Sequence, residues 1–303
     1  GNIGFSQMAS VTLTDDQLPD GLNDTVTIEF GDVSNIPNPN DGQINDLDRV
    51  LVRIVGRVAD VPANFDGLVL TNNATLNFDG DGGLGLSGSA LIDVVEPATE
   101  LSKSMSLVED GLVTVTLTVE NTGTAPVYNL RVEDVFDEVD WDLSAFNPIS
   151  VPAGFNLNLL PATPAAGQQT VELVSDPGAV SPDGTIPVGA TIAAEFEVQL
   201  AVLPPDPNPL INTADQTGGS SLPGNDPDGR DLPPDSAQAP IAVPDLLLVK
   251  DDALQIDADG SGSVSPGDTL RYTLTFSNIG QAPARNIVID DSPDSNTALV
   301  IGS

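Results

Sequence analysis

The stretch VTVTLTVENTGTAPVYNLRVEDVFD, residues 113–137, carries the pattern that decides the fold. On both sides of its centre, apolar residues alternate with polar ones, which is typical of β-strands with one buried face. Between the two alternating runs, Gly123 permits a tight turn and Pro126 ends strand pairing. The same alternation recurs in residues 24–32, 191–200 and 270–278. The sequence therefore predicts an all-β protein.

Composition limits the functions that are open to the chain. Its 303 residues are enough for two ordinary domains, and 40% of them are hydrophobic, so a core can be buried. A formal net charge of −36 repels nucleic acid and anionic lipid, so we expect neither as a partner. Cysteine and histidine are absent, which removes disulfides, the usual zinc ligands and the common hydrolase triad. No apolar run is long enough for a membrane span, and we expect no enzyme.

Two parts of the chain repeat one another. Residues 101–137 and 247–294 each contain a strand with a lysine, a loop, an alternating strand, the motif Asn-x-Gly-x-Ala-Pro and a strand that ends in aspartate. Residues 68–78 also resemble residues 208–217. A period of about 145 residues is longer than that of solenoid repeats and fits a tandem array of β-sandwich domains.

The repeat predicts three parts of the chain. Residues 98–243 form one complete β-sandwich repeat with an acidic linker, residues 1–97 the back part of a repeat, and residues 244–303 the front part of another. The Pro-, Gly- and Asp-rich stretches 79–98 and 218–244 are expected to be long loops or linkers. Both ends of the chain lie in strand-like patterns, so we expect a piece of a longer mature protein.

An incomplete sandwich leaves open strand edges and an uncovered core, which calls for an explanation. The sequence can be a window on a longer array, or its two ends can fold together within one chain. Alternatively, the front part of one chain is completed by the back part of the next, which gives a head-to-tail polymer by strand complementation. We favour this third explanation, in which the partners are copies of the chain itself, and the window is its main alternative.

The repeated strands resemble a known family. TLTVENTGTAPVYNLRVEDVFD (116–137) and RYTLTFSNIGQAPARNIVIDDSPD (271–294) resemble the conserved-repeat domain of bacterial and archaeal surface proteins, labelled the eleventh domain of unknown function. They are also similar to the isopeptide-forming domains of fimbrial proteins. The resemblance is weak in the back half of each repeat, and Val115 stands where Tyr272 does. It implies Ig-like β-sandwiches, an extracellular cell-surface location, and roles as stalks, fibres and adhesins.

Three polar residues in each repeat fall on the apolar faces of strands. In the complete repeat they are Lys103, Asp134 and Asn212, and in the split repeat Lys250, Asp291 and Asn72. Burial lowers the pKa of a lysine and raises that of a carboxyl, which leaves a neutral amine beside a protonated acid. The resemblance to fimbrial domains implies the same three residue types.

These residues have a defined chemistry if they are buried. The protonated Asp134 polarises the Asn212 carboxamide, the Lys103 amine attacks it, and ammonia leaves as an isopeptide bond forms. The alternatives are a buried Lys–Asp pair with asparagine as a hydrogen-bond partner, a lysine that reaches solvent, or an aspartate that only caps a turn. In the split repeat, a bond between Lys250 of one subunit and Asn72 of its neighbour would make a fibre covalent.

The stretch DADGSGSVSPGD, residues 257–268, has the ligand spacing of an EF-hand-type calcium loop. Gly262 stands at the place of the sharp turn. The predicted Ca²⁺ ligands are Asp257, Asp259, Ser261, Ser263, Ser265 and Asp268. Its last ligand is aspartate rather than glutamate, so we expect a modest affinity. The alternative is a solvated Asp/Gly/Ser turn.

Four other acidic stretches are weaker calcium candidates. Each one alone is typical of a solvated loop, but calcium between domains would stiffen an array whose carboxylates otherwise repel one another. Their carboxylates are those of Asp41, Asp46, Asp48, Asp79, Asp81, Asp137, Asp140, Asp142, Asp226, Asp228 and Asp231.

The sequence as a whole indicates a structural repeat segment of an extracellular fibre, stalk or surface-layer-like protein. Calcium and isopeptide bonds would stiffen it. The alternative is a cell-surface adhesin module that binds carbohydrate or protein, which exposed aromatic residues would favour, although aromatic residues make up only 4% of the chain. A third hypothesis, an enzyme with paired carboxylates, is disfavoured by the missing histidine and cysteine.

Overall fold

The computed structural model describes residues 2–5, 9–14, 25–36, 50–80, 85–109, 111–160, 167–176, 178, 183–203, 205, 208–224 and 226–300. Within these residues every regular element is a β-strand, which confirms the predicted all-β fold class. The chain divides into two compact units, Gly1–Val58 and Ala59–Ser303. The boundaries expected at residues 97 and 243 stay predictions. Among the described residues, no helix is long and apolar enough to cross a membrane.

The first unit contains two antiparallel strand pairs. β1 (Asn2–Phe5) pairs with β4 (Val33–Ile36), and β2 (Ser10–Thr14) pairs with β3 (Thr25–Glu29). Apolar and polar residues alternate along β2 and β3, and the β-branched valine, isoleucine and threonine among them favour extended backbone. The strand predicted in residues 24–32 is therefore present as β3.

The second unit begins with a hairpin and continues into a two-sheet sandwich. The hairpin pairs β5 (Val69–Leu76) with β6 (Leu86–Asp93). The first sheet has the order β10-β13-β8-β7 and contains β7 (Thr99–Leu107), β8 (Leu112–Asn121), β10 (Trp141–Ser150) and β13 (Thr191–Leu200). The second has the order β11-β12-β9-β14-β15 and contains β9 (Tyr128–Asp137), β11 (Phe155–Leu160), β12 (Gln168–Ser175), β14 (Leu210–Ser220) and β15 (Asp235–Ile241).

A second hairpin follows the sandwich. It pairs β16 (Leu246–Ile256) with β17 (Thr269–Asn278) in an antiparallel register. Large apolar side chains on both hairpins are exposed, among them Ile92 on β6 and Phe276 on β17, at 62% and 51%. The two hairpins therefore present uncovered apolar surface, in contrast to the sandwich between them.

Alternating side chains form the core of the sandwich. Along β8, Val115 and Leu117 are fully buried, while the threonines between the inward residues are partly exposed. Successive side chains of a strand point to opposite faces, so this alternation places one row of each strand between the sheets. Phe136 of β9 and Phe196 of β13 meet edge to face at the centre, with ring centroids 6.1 Å apart. The residues predicted to form a complete repeat thus share one core.

The strand register shows that the chain enters and leaves the sandwich at opposite ends. β7 begins where β8 ends, with Thr99 opposite Asn121. β9 starts at this end, after the turn that follows β8, and β14 runs antiparallel to it. β15 reverses again and finishes at the far end, where Ile241 lies opposite Leu210. The β5–β6 hairpin therefore precedes one end of the sandwich, and the β16–β17 hairpin follows the other.

Two stretches expected to be long loops contain strands, so that prediction was wrong. β6 lies within residues 79–98 and β15 within residues 218–244. β6 pairs with β5 along its whole length although it is rich in glycine and serine. β15 is the edge strand of its sheet, where Pro240 is tolerated because one side of an edge strand needs no ladder hydrogen bonds. Pairing with a stronger neighbour overrides the weak local β-propensity.

Candidate functional site

Lys103 lies on the inner face of an edge strand. β7 is the last strand of the first sheet, and Lys103 is opposite Leu117 of β8. Leu101 and Met105 lie on the same face of β7 as Lys103. Leu101 is part of the core, and Met105 packs against that core. The Lys103 side chain has 0% exposure. The lysine therefore points between the sheets, the direction that its place in the alternating pattern predicts.

Asp134 and Asn212 reach Lys103 from the facing sheet. Asp134 of β9 lies opposite Ala214 of β14, two residues beyond Asn212. The Lys103 ammonium donates to Asp134 Oδ2 over 2.5 Å and also to Asn212 Oδ1. The Asn212 amide nitrogen donates to the carbonyl oxygen of Val135 over 2.7 Å. Three strands from two sheets thus bring these side chains to one point, and we call Lys103, Asp134 and Asn212 the buried trio.

Burial shifts both ionisable groups of the buried trio toward their neutral forms. Desolvation lowers the pKa of Lys103, although the nearby charge of Asp134 opposes the shift. Desolvation raises the pKa of Asp134 to about 6, against the attraction of Lys103. Among the described residues, the buried Oδ1 of Asp134 has no hydrogen-bond partner. An unpaired buried oxygen costs less free energy on a protonated carboxyl than on a carboxylate.

Aromatic side chains close the buried trio to water. The Lys103 Nζ lies 5.2 Å from the centre of the Phe136 ring. Phe136 packs edge to face against Trp141 at 5.3 Å and against Phe196 at 6.1 Å. All three rings are buried. Because such an environment has a low dielectric constant, the polar contacts within it are strong and an unpaired charge is costly.

The second predicted set is only partly assembled. The Lys250 Nζ donates to Asp291 Oδ1 over 2.7 Å and lies 4.7 Å from the centre of the Tyr272 ring. The two side chains are 40% and 35% exposed, in contrast to the closed buried trio. Asn72 of β5 is exposed and has no hydrogen bond to either residue within the described part of the chain. We call Lys250, Asp291 and Asn72 the split site, since the structure pairs the first two residues and leaves Asn72 apart from them.

The loop between β16 and β17 gathers three carboxylates. Oxygens of Asp257, Asp259 and Asp268 lie within 4.8 Å of one another, and no other such acidic group occurs in the described residues. The Asp257 carboxylate accepts backbone N–H groups from Gly260 and Gly262, at 2.7 and 2.8 Å. Both glycines have positive φ angles, of 71° and 73°, which lets the backbone fold around the carboxylate.

Serine hydroxyls complete the polar lining of this loop. The Ser265 hydroxyl donates to Asp259 and Asp268, at 3.1 Å in each case. Ser261 donates to the carbonyl oxygen of Ser263 over 2.9 Å. The hydrogen bond from Ser261 lowers the pKa of Asp259, and backbone N–H groups lower that of Asp268. The three predicted acidic ligands therefore lie around one point, and the hydrogen bonds favour the ionised forms of Asp259 and Asp268.

The weaker calcium candidates are dispersed. Asp137 accepts the backbone N–H of Val139, and Asp142 accepts that of Ser144, both at 2.9 Å within local turns. Asp226 likewise accepts the N–H of Asp228. Asp41, Asp46, Asp48 and Asp81 lie outside the described residues.

Arg230 is a structural contact that sequence reasoning missed. It donates to Asp60 over 2.6 Å, to the carbonyl oxygen of Val61 over 2.9 Å, and to Glu96. The hydrogen bond to Asp60 is the main cause of its raised pKa. It ties the segments on either side of the first hairpin to the sandwich. No local pattern signals this role, because the partners lie 134 to 170 residues away in sequence.

Comparisons with known proteins give a structural likeness and no family. No protein-family model and no curated protein matches the chain, so the predicted family stays a prediction. The chain is similar to the seventh ScaB type I cohesin of Pseudobacteroides cellulosolvens, at 14% identity, 46% of this chain, 91% of that chain and a TM-score of 0.26.

Two further solved structures are similar to the chain. The major pilin subunit of Bacillus cereus is 9% identical, with 69% of this chain and 63% of that chain covered at a TM-score of 0.27. The GH20 exo-β-N-acetylglucosaminidase of Vibrio harveyi is 11% identical at a TM-score of 0.24, and the chain covers 17% of its length and 46% of its own. Because these TM-scores are low, the function proposed below rests on the residues of the chain itself.

Proposed function

We propose that the chain is a structural segment of an extracellular fibre, stalk or surface layer, whose β-sandwich units join head to tail. An isopeptide bond stiffens the central sandwich, and calcium stiffens the hairpin that follows it. The observation that carries this proposal is the buried contact of Lys103 with both Asp134 and Asn212. The resemblance of residues 116–137 to surface-protein repeats supports the extracellular location.

The chemistry of the buried trio is an amide exchange. The protonated Asp134 donates its proton to the Asn212 carboxamide as the neutral Lys103 amine attacks Cγ. The Asp134 carboxylate formed in this step then takes a proton from the attacking nitrogen and passes it to the leaving nitrogen, and the proton held by the carboxamide oxygen returns to Asp134. The bond from Lys103 Nζ to Asn212 Cγ forms, the Cγ–Nδ2 bond breaks, and one ammonia leaves. An amine and a carboxamide thus give a substituted amide and ammonia, with no oxidant, reductant or cofactor.

The surroundings of the buried trio favour this exchange over competing reactions. A lysine amine is a nucleophile only when it is neutral, and the lowered pKa of Lys103 increases that form. The raised pKa of Asp134 supplies the acid. The aromatic shell excludes the water that would otherwise hydrolyse the carboxamide. Because each chain reacts once and its groups are consumed, the protein has no turnover and is not an enzyme.

A bond at this place would protect the sandwich against tension. The chain enters at Thr99 and leaves beyond Ile241 at the opposite end. Force applied to the entry would pass from Lys103 directly to Asn212 and then through β15 to the exit. Residues 104–211, which include most of the sandwich, would carry no load. The trio is therefore well placed for a mechanical role.

Calcium would act on a different part of the molecule. The three carboxylates of the loop between β16 and β17 repel one another unless a cation neutralises them. Carboxylate and hydroxyl oxygens are the ligands that calcium prefers. Binding would hold the loop in one conformation and stiffen the hairpin, which has no covering layer among the described residues.

Single-molecule stretching of the chain tests the mechanical proposal. If Lys103 and Asn212 are joined, the central sandwich should not release residues 104–211 under force. The Asn212→Ala chain should release them, with an added contour length of roughly 370 Å. Asn158→Ala, which removes an exposed asparagine of β11, should behave like the unaltered chain. Equal extension of all three chains would contradict the proposal.

A further inference from the structure

The hairpin after the sandwich repeats the first hairpin of the sandwich. Lys250 lies opposite Leu274 on β17, as Lys103 lies opposite Leu117 on β8. β17 is followed by a turn and by residues 286–294, which match β9 in sequence and include Asp291 at the place of Asp134. These residues belong to no strand in the described part of the chain.

The turns after the two hairpins are the same in detail. The amide nitrogen of Asn121 donates to the carbonyl oxygen of Ala125 over 2.9 Å, and that of Asn278 donates to Ala282 over 2.7 Å. In each repeat the segment after the turn carries an asparagine with positive φ near its start, Asn129 at 52° and Asn286 at 53°. The second copy is therefore built like the front part of the sandwich.

The hairpin before the sandwich corresponds to its last two strands. Asn72 lies opposite Ala90 in the β5–β6 pair, as Asn212 lies opposite Ala239 in the β14–β15 pair. Two residues further along, β5 carries Ala74 and β14 carries Ala214. In the sandwich, Ala214 lies opposite Asp134. The first hairpin thus holds the asparagine that the second copy lacks.

The two incomplete parts lie beyond opposite ends of the sandwich. β6 leads into the end where β7 begins, and β16 starts from the end where β15 finishes. The nine residues of β7 alone separate these ends by about 30 Å. Completion between two chains is therefore sterically simpler than completion within one chain.

We propose that the β5–β6 hairpin of one copy completes the β16–β17 hairpin of the next copy, and that Asn72 there meets Lys250 and Asp291. The proposal rests on the isopeptide chemistry proposed for the buried trio. Each junction would form one bond between Lys250 Nζ and Asn72 Cγ and release one ammonia. Because the two contacting surfaces differ, the contact is head-to-tail and extends into a linear polymer.

The charges of the contacting strands favour this occupant. β5 carries no charged side chain, although the chain as a whole has a net charge of −36. β17 carries Arg271 and no acidic residue, whereas β16 carries Asp251 and Asp252 beside Lys250. The hairpin that must approach the split site therefore brings no negative charge on the strand that holds Asn72. The exposed apolar residues of both hairpins, such as Ile92 and Phe276, would be covered in the same contact.

The buried sandwich fixes the register of the contact between copies. Asp215 lies opposite Glu133 in the β14–β9 pair, one step from Ala214 and Asp134. In the alignment of the repeats, Thr75 corresponds to Asp215 and Asp290 to Glu133. The same pairing between copies would place Thr75 of one copy opposite Asp290 of the next. Facing residues on antiparallel strands have Cα atoms about 4.5 to 5.5 Å apart, which suits a disulfide.

The covalent part is tested with the purified chain, concentrated and then denatured for mass spectrometry and electrophoresis. We expect a ladder of multimers, each lighter than the sum of its chains by one ammonia per junction, in addition to any internal loss. Asn72→Ala and Lys250→Arg should abolish the ladder. Asn73→Ala, which alters the next residue of β5, should retain it. A ladder that survives Asn72→Ala, or only monomers at high concentration, would overturn the proposal.

The register is tested separately from the isopeptide chemistry. Chains with Thr75→Cys and chains with Asp290→Cys, both also carrying Lys250→Arg, are mixed and oxidised. The chain has no cysteine of its own, so a disulfide dimer reports only the introduced pair. We expect a dimer from this pair and none when Ser277→Cys replaces Asp290→Cys. No dimer, or equal amounts with both partners, would overturn the contact.

The two proposals fail in distinguishable ways. Loss of ammonia between Lys103 and Asn212 without a ladder or a disulfide dimer would leave the internal bond and remove the contact between copies. A disulfide dimer without any ammonia loss would keep the contact and remove the bond chemistry. A monomer with Lys250 joined to its own Asn72 would show closure within one chain and overturn the polymer.

Discussion

Lys103 is buried because inward-facing and outward-facing side chains alternate along β7. Its contacts with Asp134 and Asn212 make that burial tolerable. Without Asp134 and Asn212, a lysine with 0% side-chain exposure would be an unpaired charge in an apolar core. The same burial that makes the ion pair costly also stabilises the neutral amine and the neutral acid. The isopeptide bond would remove this cost permanently, since an amide carries no charge.

The pKa of Asp134 predicts how stability depends on pH in a chain that cannot form the bond. In the unaltered fold, burial raises the pKa of the Asp134 carboxyl from 3.8 to about 6, and Asn212→Leu removes a hydrogen bond that lowers this pKa. The unfolded carboxyl of the variant therefore releases its proton at a lower pH than the folded one. The stabilising contribution of Asp134 is complete below the lower value and is lost as the pH rises through the higher value. We expect the free energy of unfolding to fall by about 3 kcal/mol between about pH 4 and pH 7.

Urea denaturation at several pH values measures this change. The double variant Asp134→Asn/Asn212→Leu is the matched control, because it keeps Lys103 and lacks the titrating carboxyl. The difference between the two chains isolates Asp134 from other acidic residues. An equal fall in both chains would show that Asp134 is not responsible.

The residue pattern predicts which side chains share a face but not whether they meet. Alternation places Lys103, Asp134 and Asn212 on inward faces, and the structure puts all three in contact. Asn72 has the same place in its own strand, yet it is exposed. The difference arises because alternation describes one strand, whereas burial depends on the sheet that covers it.

At the level of elements, the turn between β8 and β9 fixes how the chain enters the sandwich. A Cβ added to Gly123 would lie 2.3 Å from the backbone nitrogen of Ala98 and 2.5 Å from the carbonyl oxygen of Glu96. Backbone atoms cannot move aside as a flexible side chain can. The amino-acid type at this position is therefore set by the close approach of the entering segment.

Gly123→Ala should destabilise the sandwich by about 1 to 3 kcal/mol, since the turn or the entering segment must shift. Chemical denaturation of the single variant measures the change. Gly88→Ala on β6 is the matched control, because a Cβ there has no heavy atom within 4 Å. A loss of stability as large in the control would contradict the steric explanation.

The calcium loop makes a prediction for the β16–β17 hairpin. Titration calorimetry should detect calcium binding with a Kd of about 0.1 to 1 mM, the range of weak extracellular modules. Asp257→Asn should weaken this binding at least about tenfold, because it removes one of three carboxylates. Asp251→Asn, an exposed acid of β16, should leave it unchanged. Equal binding by both variants would place calcium elsewhere.

The sequence predicts the strands in which apolar and polar residues alternate strongly. It does not predict the strands that form because a neighbouring strand pairs with them. Apolar and polar residues alternate along β8 and β13, and the sequence predicts both strands. β6 and β15 contain glycine, serine or proline, and they are strands only because β5 and β14 pair with them. Arg230 was missed for a related reason, since its partners are distant in the chain.

At the scale of the whole chain, the second unit combines one closed sandwich with an open hairpin before it and another after it. Closing a loop of 109 residues with a covalent bond would stabilise the sandwich by about 5 kcal/mol, by analogy with a disulfide of that loop size. The open hairpins would gain a core only by contact with another sandwich part. The period of the sequence repeat predicts one complete repeat between two incomplete ones. It does not predict whether the two hairpins meet within one chain or between two copies.

The intact mass of the denatured chain shows whether Lys103 and Asn212 are joined. We expect a monomer mass short by one ammonia, with the loss mapped to joined peptides that contain Lys103 and Asn212. Asp134→Ala and Asn212→Ala should both restore the full mass, whereas Asn158→Ala should not. A full mass for the unaltered chain would exclude the isopeptide bond, and Lys103 would then be a buried partner of Asp134 and nothing more.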